Sequence, residues 1–495
     1  MPRPMPLPTT HVNPVEQSIT QLGHALQRGA IDIPSLVHAY LDRIHAFNRN
    51  GPGINAISMI CPDAIDQAHA LEAELRTKGP RGPLHGIPFA VKDNIDVAGM
   101  PTTAGCAVLQ DAIARHDAPC VAHLRAAGAI VLAKANMSEL AASNGRFGYS
   151  SASGLTINPY HLSRASSGSS SGSGAAVAAN FAAFALGTDS FGSVRGPASV
   201  HALAGHRPTH NLLSNQGVLP LAPLFDTVGP LARSVDDIAL IMQALAPSHL
   251  FNMAPITWAT HRIGIVTDFS GGHPEIDTLF EHSLSILRKT GTTLVPIQLP
   301  DLTLHLYRDA LGALTQAQWA IALDNYFAHA QFTTPSDAAT LLDLIERRAT
   351  LDQRETNPVT LAQLRQTVQT EDRHRTTQME KLRVFRQAID HIFVTHALDA
   401  LIYPSHACPA PPRYDLHDDR YTCFAEQPVA AMHIASATGL PEISTPMGFT
   451  PDDIPAGISW LGPRGDDVRL LALAATYERM TQHRRAPITT PALLP

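Results

Sequence analysis

"SSGSSSGSG", residues 166–174, is built from serine and glycine alone, and it runs straight into "AAVAANFAAFALG", 175–187, which is apolar on almost every face. The first stretch alone reads as a flexible linker, because Gly/Ser tracts are the usual spacers between modules. The second stretch argues against a linker. A helix that is apolar all round is buried at the centre of a domain, and a spacer has no reason to end there. A Gly/Ser loop at the N-terminus of such a helix has a use. Its N–H groups and the helix dipole can face an anion or a developing oxyanion, and glycine permits the backbone angles the loop needs. A second Gly/Ser turn follows at once, "GTDSFGSVRGPAS", 187–199, with Asp189, Gly192, Ser193 and Arg195. One short apolar helix would join the two polar loops and bring them close together.

Around this pair the chain alternates strand and helix. In "PLHGIPFAVKDNIDVAGMPTTAG", 83–105, a short apolar run from Ile87 to Lys92 reads as a strand followed by a loop. "APCVAHLRAAGAIVLAKANMSEL", 118–140, reads as a helix, Gly128, and a buried strand "AIVLAKA". Residues 15–48 read as one helix or two, with Ile19, Leu22, Leu26, Leu36, Tyr40 and Ile44 at helical spacing. The expected class is α/β, with a mixed β-sheet sandwiched between layers of α-helices. From about 250 to 400 the pattern is mostly helical, and 358–394 reads as one long amphipathic surface stretch. Buried strands return at 397–405, 440–448 and 455–462. There is no internal repeat.

Composition narrows the function. The chain has 495 residues, 44% of them hydrophobic, which is globular and allows up to about three domains. The formal net charge is −7 without a long basic block, so no nucleic-acid partner is expected. The first residues have no apolar h-region, and no apolar run is long enough to span a membrane. The five cysteines are few, odd in number and widely spaced, which argues against a disulfide framework and suits a reducing, cytoplasmic setting. The 25 histidines are scattered, with no H-E-x-x-H or C-x-x-C pattern, so neither a metal nor another cofactor is expected.

Serine is a weak nucleophile without a base. Neither serine loop contains a histidine, but His201, His206 and His210 follow closely and one of them could complete a Ser–His pair. Lys92 is the other candidate. It ends an apolar strand, and an apolar setting disfavours the ammonium and makes a lysine a base. A surface lysine at a strand end is the plainer reading of the same residue.

The motifs resemble those of the amidase signature family of serine hydrolases over roughly 60–240 and 397–485. "SGSSSGSGAAVA", 167–178, and "DSFGSVRGPA", 189–198, are similar to its two core motifs. "GHRPTHNLLSNQGVLPLAPLFDTVGPLARSVDDIALI", 205–241, and "IPAGISWLGPRGDDVRLLALAATYE", 454–478, are similar to later segments. The resemblance implies a Ser–cis-Ser–Lys triad, with Ser193 as nucleophile, Ser169 as the cis-serine and Lys92 as base. It implies an oxyanion hole from the backbone N–H groups of Ser190, Phe191, Gly192 and Ser193. Ser170 would support the lysine region, and Asp189 and Arg195 would hold the two loops together. The chain departs from the pattern at Ser171, at His206-Arg207 and at Phe191, where smaller or different residues are usual. Phe191 either lines the pocket or packs in the core.

By this resemblance, 1–60 is an N-terminal helical segment and 61–485 a single amidase-signature domain. Its core motifs fall at 83–241 and 397–485, with a variable helical substrate side at about 250–396 and a tail at 486–495. The implied activity is hydrolysis of a carboxylic amide through a seryl acyl-enzyme, by a monomer or homodimer acting on a small-molecule amide. "SGLTINPYHLS", 153–163, and "GSSSGSGAAVAAN", 168–180, are most similar to the peptide-amidase and aryl-amidase branches. The alternatives are an amidotransferase A-type subunit of a tRNA-dependent complex, and a non-catalytic scaffold. The intact Lys92, Ser169 and Ser193 argue against the scaffold.

Overall fold

The computed structural model describes residues 13–246, 251, 253–330, 332, 334–349, 354–369 and 375–493. Thirteen strands are present among them: β1 Ile57–Ile60, β2 Pro88–Lys92, β3 Ile130–Ala135, β4 Tyr149–Ser150, β5 Gly154–Leu155, β6 Phe184–Asp189, β7 Ala204–Arg207, β8 Thr227–Ala232, β9 Arg262–Val266, β10 Thr293–Ile297, β11 Ala400–Pro404, β12 Glu442–Phe449 and β13 Pro455–Leu461. Strands β4 and β5 form a separate two-stranded sheet. The other eleven make one sheet in the order β1-β3-β2-β6-β8-β7-β12-β13-β11-β9-β10. It is mixed: β3, β2 and β6 run parallel, as do β11, β9 and β10, and the middle pairs are antiparallel. The α/β class expected from the sequence is the one found.

Strands β2, β3 and β6 are buried at every residue. Strands covered on both faces read as continuous apolar runs rather than alternations. Phe89 and Phe184 face each other in the β2–β6 register and stack with ring centroids 5.0 Å apart. Apolar side chains fall into two main clusters. One lies around β2, β3, β6 and the helix Ser171–Ala178. The other gathers Leu306, Trp319, Leu364, Phe385 and Ile434 from later segments.

The structure corrects several expectations. The stretch 175–187 is not one helix: the helix runs Ser171–Ala178, the chain reverses at Asn180 (φ 56°), and the remainder becomes β6. An apolar run without period fits a buried helix and a buried strand equally well. Residues 15–48 are two helices, Ile19–Gln27 and Ile33–Phe47, the second capped by Asp32 accepting from the N–H of Ser35 at 2.7 Å. The stretch 358–394 is also two helices, Pro358–Gln369 and Arg375–His396. The region 250–400 also carries β9 and β10, parallel and joined across the helix Pro274–Lys289. Finally, Cys408 and Cys423 form a disulfide, with Cα atoms 5.6 Å apart, while Cys61, Cys106 and Cys120 are free and buried. Sequence spacing carried no sign of that pair, because the two residues meet through a loop.

Buried Arg43 joins three distant parts of the chain. Its guanidinium donates to the carbonyls of Ala179, Asn180, Thr490 and Pro491. The N-terminal helices, the turn before β6 and the C-terminal segment are thereby tied to one cationic side chain. Among the described residues, no helix is long and apolar enough to cross a membrane.

Candidate active site

Lys92 is the last residue of β2, and Thr188 stands near the end of neighbouring β6. The Gly/Ser tract closes over these strand ends, and its glycines let it approach. At Gly172 a Cβ would collide with the carbonyl oxygens of Asn136 and Ala56. The tract's serines are tied inside the protein rather than to solvent. Ser171 Oγ donates to Ser167 O at 2.6 Å, and Ser173 Oγ to Leu186 O at 2.9 Å. Ser171, a departure from the family pattern, therefore has a local partner.

Lys92 Nζ lies 2.8 Å from Ser169 Oγ, 2.7 Å from Thr188 Oγ1 and 3.3 Å from Thr188 O. The side chain is fully buried. That burial pulls its pKa from 10.5 down to about 7, against the carboxylates of Asp189 and Asp226, which would raise it. The Gly168–Ser169 peptide is cis, and Ser169 O accepts from the N–H of Ser138 at 3.0 Å. Ser170 ties the loops together: its N–H donates to Ser193 O at 3.2 Å and its Oγ to Thr188 O at 3.2 Å. Lys92, Ser169 and the segment bearing Ser193 thus converge at the ends of two adjacent strands.

Asp189 organises the turn that carries Ser193. It is fully buried and accepts from the N–H groups of Gly192 (2.9 Å) and Val194 (3.0 Å), from Arg195 Nε (3.0 Å) and Nη2 (2.9 Å), and from Arg207 Nη1 (3.0 Å). Burial alone would raise its pKa. The Arg195 and then the Arg207 guanidinium outweigh that and hold the carboxyl far below the usual carboxylate range. Arg195 also donates to Glu442 Oε2 at 2.5 Å, on β12. Arg207 also bonds the carbonyls of Asp189 and Phe225. Arg207 is therefore a second cation on the same carboxylate.

Gly192 has φ 101°, and a Cβ there would collide with Met432 Sδ. Its N–H is engaged by Asp189. The N–H groups of Ser190, Phe191 and Ser193 have no acceptor among the described residues. Ser190 Oγ donates to Asp226 Oδ1 at 2.5 Å. None of His201, His206 and His210 hydrogen-bonds Ser169 or Ser193 among the described residues. His201 Nδ1 is 2.7 Å from Pro197 O, and His206 Nε2 is 3.3 Å from Asp467.

Ser193 opens onto a cavity of about 1280 Å³. Phe191, Tyr307, Trp319, Gln316 and His433 line it with Ser193. The Phe191 ring packs edge-on against Tyr307, with centroids 5.1 Å apart, and tilted against Phe225 at 5.4 Å. Phe191 is thus part of the cavity wall, supported from behind by other aromatics. Sequence reading missed Thr188, Arg207, Asp226 and Glu442. Only the fold shows the partner of each.

The comparisons with known proteins agree with this geometry. The Amidase family model matches residues 35–471. The A subunit of glutamyl-tRNA(Gln) amidotransferase from Deinococcus radiodurans is 31% identical over 93% of this chain and 97% of its own length. The Thermus thermophilus protein of the same name is 29% identical over 93% and 97%. Among solved structures, the native peptide amidase of Stenotrophomonas maltophilia superposes with a TM-score of 0.85 at 30% identity, over 98% of this chain and 100% of that one. With the family model spanning both serine loops, the lysine strand and most of the sheet, the chain belongs to the amidase family of amide-hydrolysing enzymes.

Proposed function

We propose that this chain is a stand-alone amidase. It would hydrolyse a carboxylic amide to acid plus ammonia or amine through an acyl-enzyme on Ser193. The observation that carries the proposal is the buried Lys92 amine 2.8 Å from Ser169 Oγ, beside a turn with open N–H groups and a cavity.

Burial favours a neutral amine, and the contacts around it accommodate one. Such an amine has two N–H donors and one lone pair. Thr188 O and Oγ1 accept the two donors, which leaves the lone pair for the Ser169 hydroxyl. Ser193 Oγ attacks the carbonyl carbon as its proton passes to Ser169 Oγ and the Ser169 proton passes to Lys92 Nζ. The oxyanion is met by the N–H groups of Ser190, Phe191 and Ser193, with each such donor worth about 10²–10³ in rate. The Lys92 ammonium then returns a proton through Ser169 to the leaving nitrogen, and the C–N bond breaks. Water, activated by the same relay, cleaves the acyl ester and restores Ser193.

For a primary amide the leaving group is one nitrogen, so the large cavity is filled by the acyl part. A cavity of about 1280 Å³ exceeds the usual ~300–1000 Å³ of a small-ligand pocket and suits a peptide-like acyl group. The likeness to peptide amidase supports the same class. The second reading, an amidotransferase A-type subunit, rests on the relatives of that name. Against it, the cavity wall offers Arg308 to a carboxylate but includes no Asp or Glu among the described residues to meet an ammonium. A free zwitterionic amino acid such as glutamine would need charged partners there. We further propose a monomer or homodimer, acting alone on its amide. The cysteine count favours a cytoplasmic setting, and the Cys408–Cys423 bond favours an oxidising one.

The test is ammonia release by the purified single chain from a panel of N-acyl amino acid amides, with and without Ser193→Ala. Turnover by the lone wild-type chain, lost in Ser193→Ala at unchanged melting temperature, supports the proposal. Turnover that appears only with added partner proteins, or that survives in Ser193→Ala above about one per cent of kcat, overturns it.

A further inference from the structure

His433 stands in the wall of the cavity and takes no part in the relay just described. It begins the short helix His433–Thr438, directly after Met432, whose side chain covers Gly192. Its ring stacks on Tyr307 with centroids 5.4 Å apart and an interplanar angle of 30°, and meets the Phe191 edge at 6.3 Å. Arg195 holds the same helix by donating to Ser436 Oγ at 3.3 Å. The imidazole is therefore held against two aromatic rings. It is only 6% exposed, and its buried Nδ1 has no hydrogen-bond partner among the described residues. A buried polar group without a partner costs stability, and such a group retained in a ligand cavity points to a ligand that completes it.

Burial keeps the ring neutral. Burial lowers its pKa to about 4, the Arg195 guanidinium adds to that, and the Asp189 carboxylate opposes it. A neutral imidazole carries one N–H donor and one lone pair. Such a group suits another amide, which offers both a donor and an acceptor, better than it suits a charged one. This inference rests on the amidase reading above, in which the acyl portion fills the cavity. The acyl portion is then the only part of the substrate that can reach this wall.

We propose that His433 is a specificity-determining residue whose imidazole hydrogen-bonds a second amide group in the acyl portion of the substrate, next to the one being hydrolysed. The enzyme would then favour N-acylated α-amino amides over plain carboxamides of the same shape. A site built to hydrogen-bond a substrate group discriminates against the analogue that lacks it, because the site's own polar group is left unpaired.

The test compares kcat/KM for N-acetylphenylalaninamide and 3-phenylpropanamide, which keeps the phenyl group and the scissile amide but lacks the acylamino group. Wild type should favour the first by at least about tenfold. His433→Phe keeps a stacking ring and loses both nitrogens, and should collapse the ratio to about twofold or less. His433→Leu tests the same loss should the Phe variant fail to fold, and His433→Gln, which retains a donor and an acceptor, should keep part of the preference. A ratio in His433→Phe or His433→Leu within twofold of wild type overturns the proposal, as does a wild-type ratio near one. Hydrolysis of neither substrate by wild type would instead overturn the amidase reading.

Discussion

Replacing Lys92 with methionine separates the chemistry from the folding of this protein. Methionine keeps most of the linear stem and removes the amine. In the folded chain Lys92 titrates near 7, from an ordinary value of 10.5, because burial disfavours the ammonium. In the unfolded chain it titrates at the ordinary value. Between these two values the unfolded chain holds a proton that the folded chain has lost. Stability contributed by this residue therefore rises with pH, by about 1.4 kcal/mol per pH unit. Below the folded value both states are protonated and the cost is constant. The cost to wild type is about 5 kcal/mol at pH 6.5 and about 2 kcal/mol at pH 9. Methionine carries none of it, but leaves Ser169 and Thr188 short of a partner, at about 1–3 kcal/mol that does not vary with pH. Lys92→Met should thus be inactive and more stable than wild type by about 2–4 kcal/mol at pH 6.5. At pH 9 it should have lost about 3 kcal/mol of that advantage. Urea denaturation of both proteins at the two pH values measures it. A stability difference that is the same at both, within about 1 kcal/mol, refutes the buried neutral amine and with it the base assigned to Lys92. Wild-type kcat should in parallel rise about tenfold from pH 6 to pH 8, as the neutral fraction of Lys92 grows.

Phe191→Ala should cost less than the ~3–5 kcal/mol of a fully buried Phe→Ala change, because one side of the ring faces the cavity; kcat/KM should shift toward bulkier acyl groups, and an unchanged ratio between large and small substrates would contradict that placement. Arg207→Lys should lower the urea midpoint, by about 2–4 kcal/mol in stability, because a single ammonium cannot reach Asp189 and the Phe225 carbonyl together; a midpoint equal to wild type would show that Arg195 alone satisfies Asp189. Gly192→Ala should lose activity and stability together, through the positive φ and the collision with Met432, and a fully active variant would show that the turn relaxes at no cost. Alkylation of the denatured, unreduced chain followed by mass spectrometry should count three free thiols; five would show that Cys408 and Cys423 are unpaired in the protein as expressed.

Much of the site was legible because its chemistry is concentrated in short motifs. Lys92, Ser169 and Ser193 each sit in a distinctive local sequence, and β2 and β6 place their ends side by side. The intervening connection was misread. Residues 175–187 are apolar but for Asn180 and the closing glycine, and a period is what separates strand from helix. The break falls at Asn180, which has positive φ, and the single Asn in an apolar run was its one local sign. Strands β9 and β10 were hidden for a different reason. They flank a well-formed amphipathic helix, and β10 is half-exposed near the sheet edge, so its apolar pattern is weak. The hub around Asp189 was half legible. Arg195 lies six residues away and shares a motif, whereas Glu442 is 247 residues from Arg195 and Arg207 looked like a simple divergence. Partners in a buried ion network are chosen by the fold, and the sequence around each does not show which distant charge it will meet.

The separation of the apolar side chains into two clusters has a consequence for how such an enzyme can change. The proposed Lys92–Ser169 relay stands on the cluster around β2, β3 and β6. Most of the cavity wall opposite Ser193 hangs from the other, built from segments such as Gly312–Ala330 and Pro358–Gln369. What the protein accepts and how it cuts are therefore held by different foundations. Substitutions that reshape the second can retune the clientele while the first, with its tightly satisfied ions, goes on enforcing the same reaction. Phe191 straddles the seam, rooted in the turn that carries Ser193 yet leaning on the far wall, so a change there is felt on both sides at once.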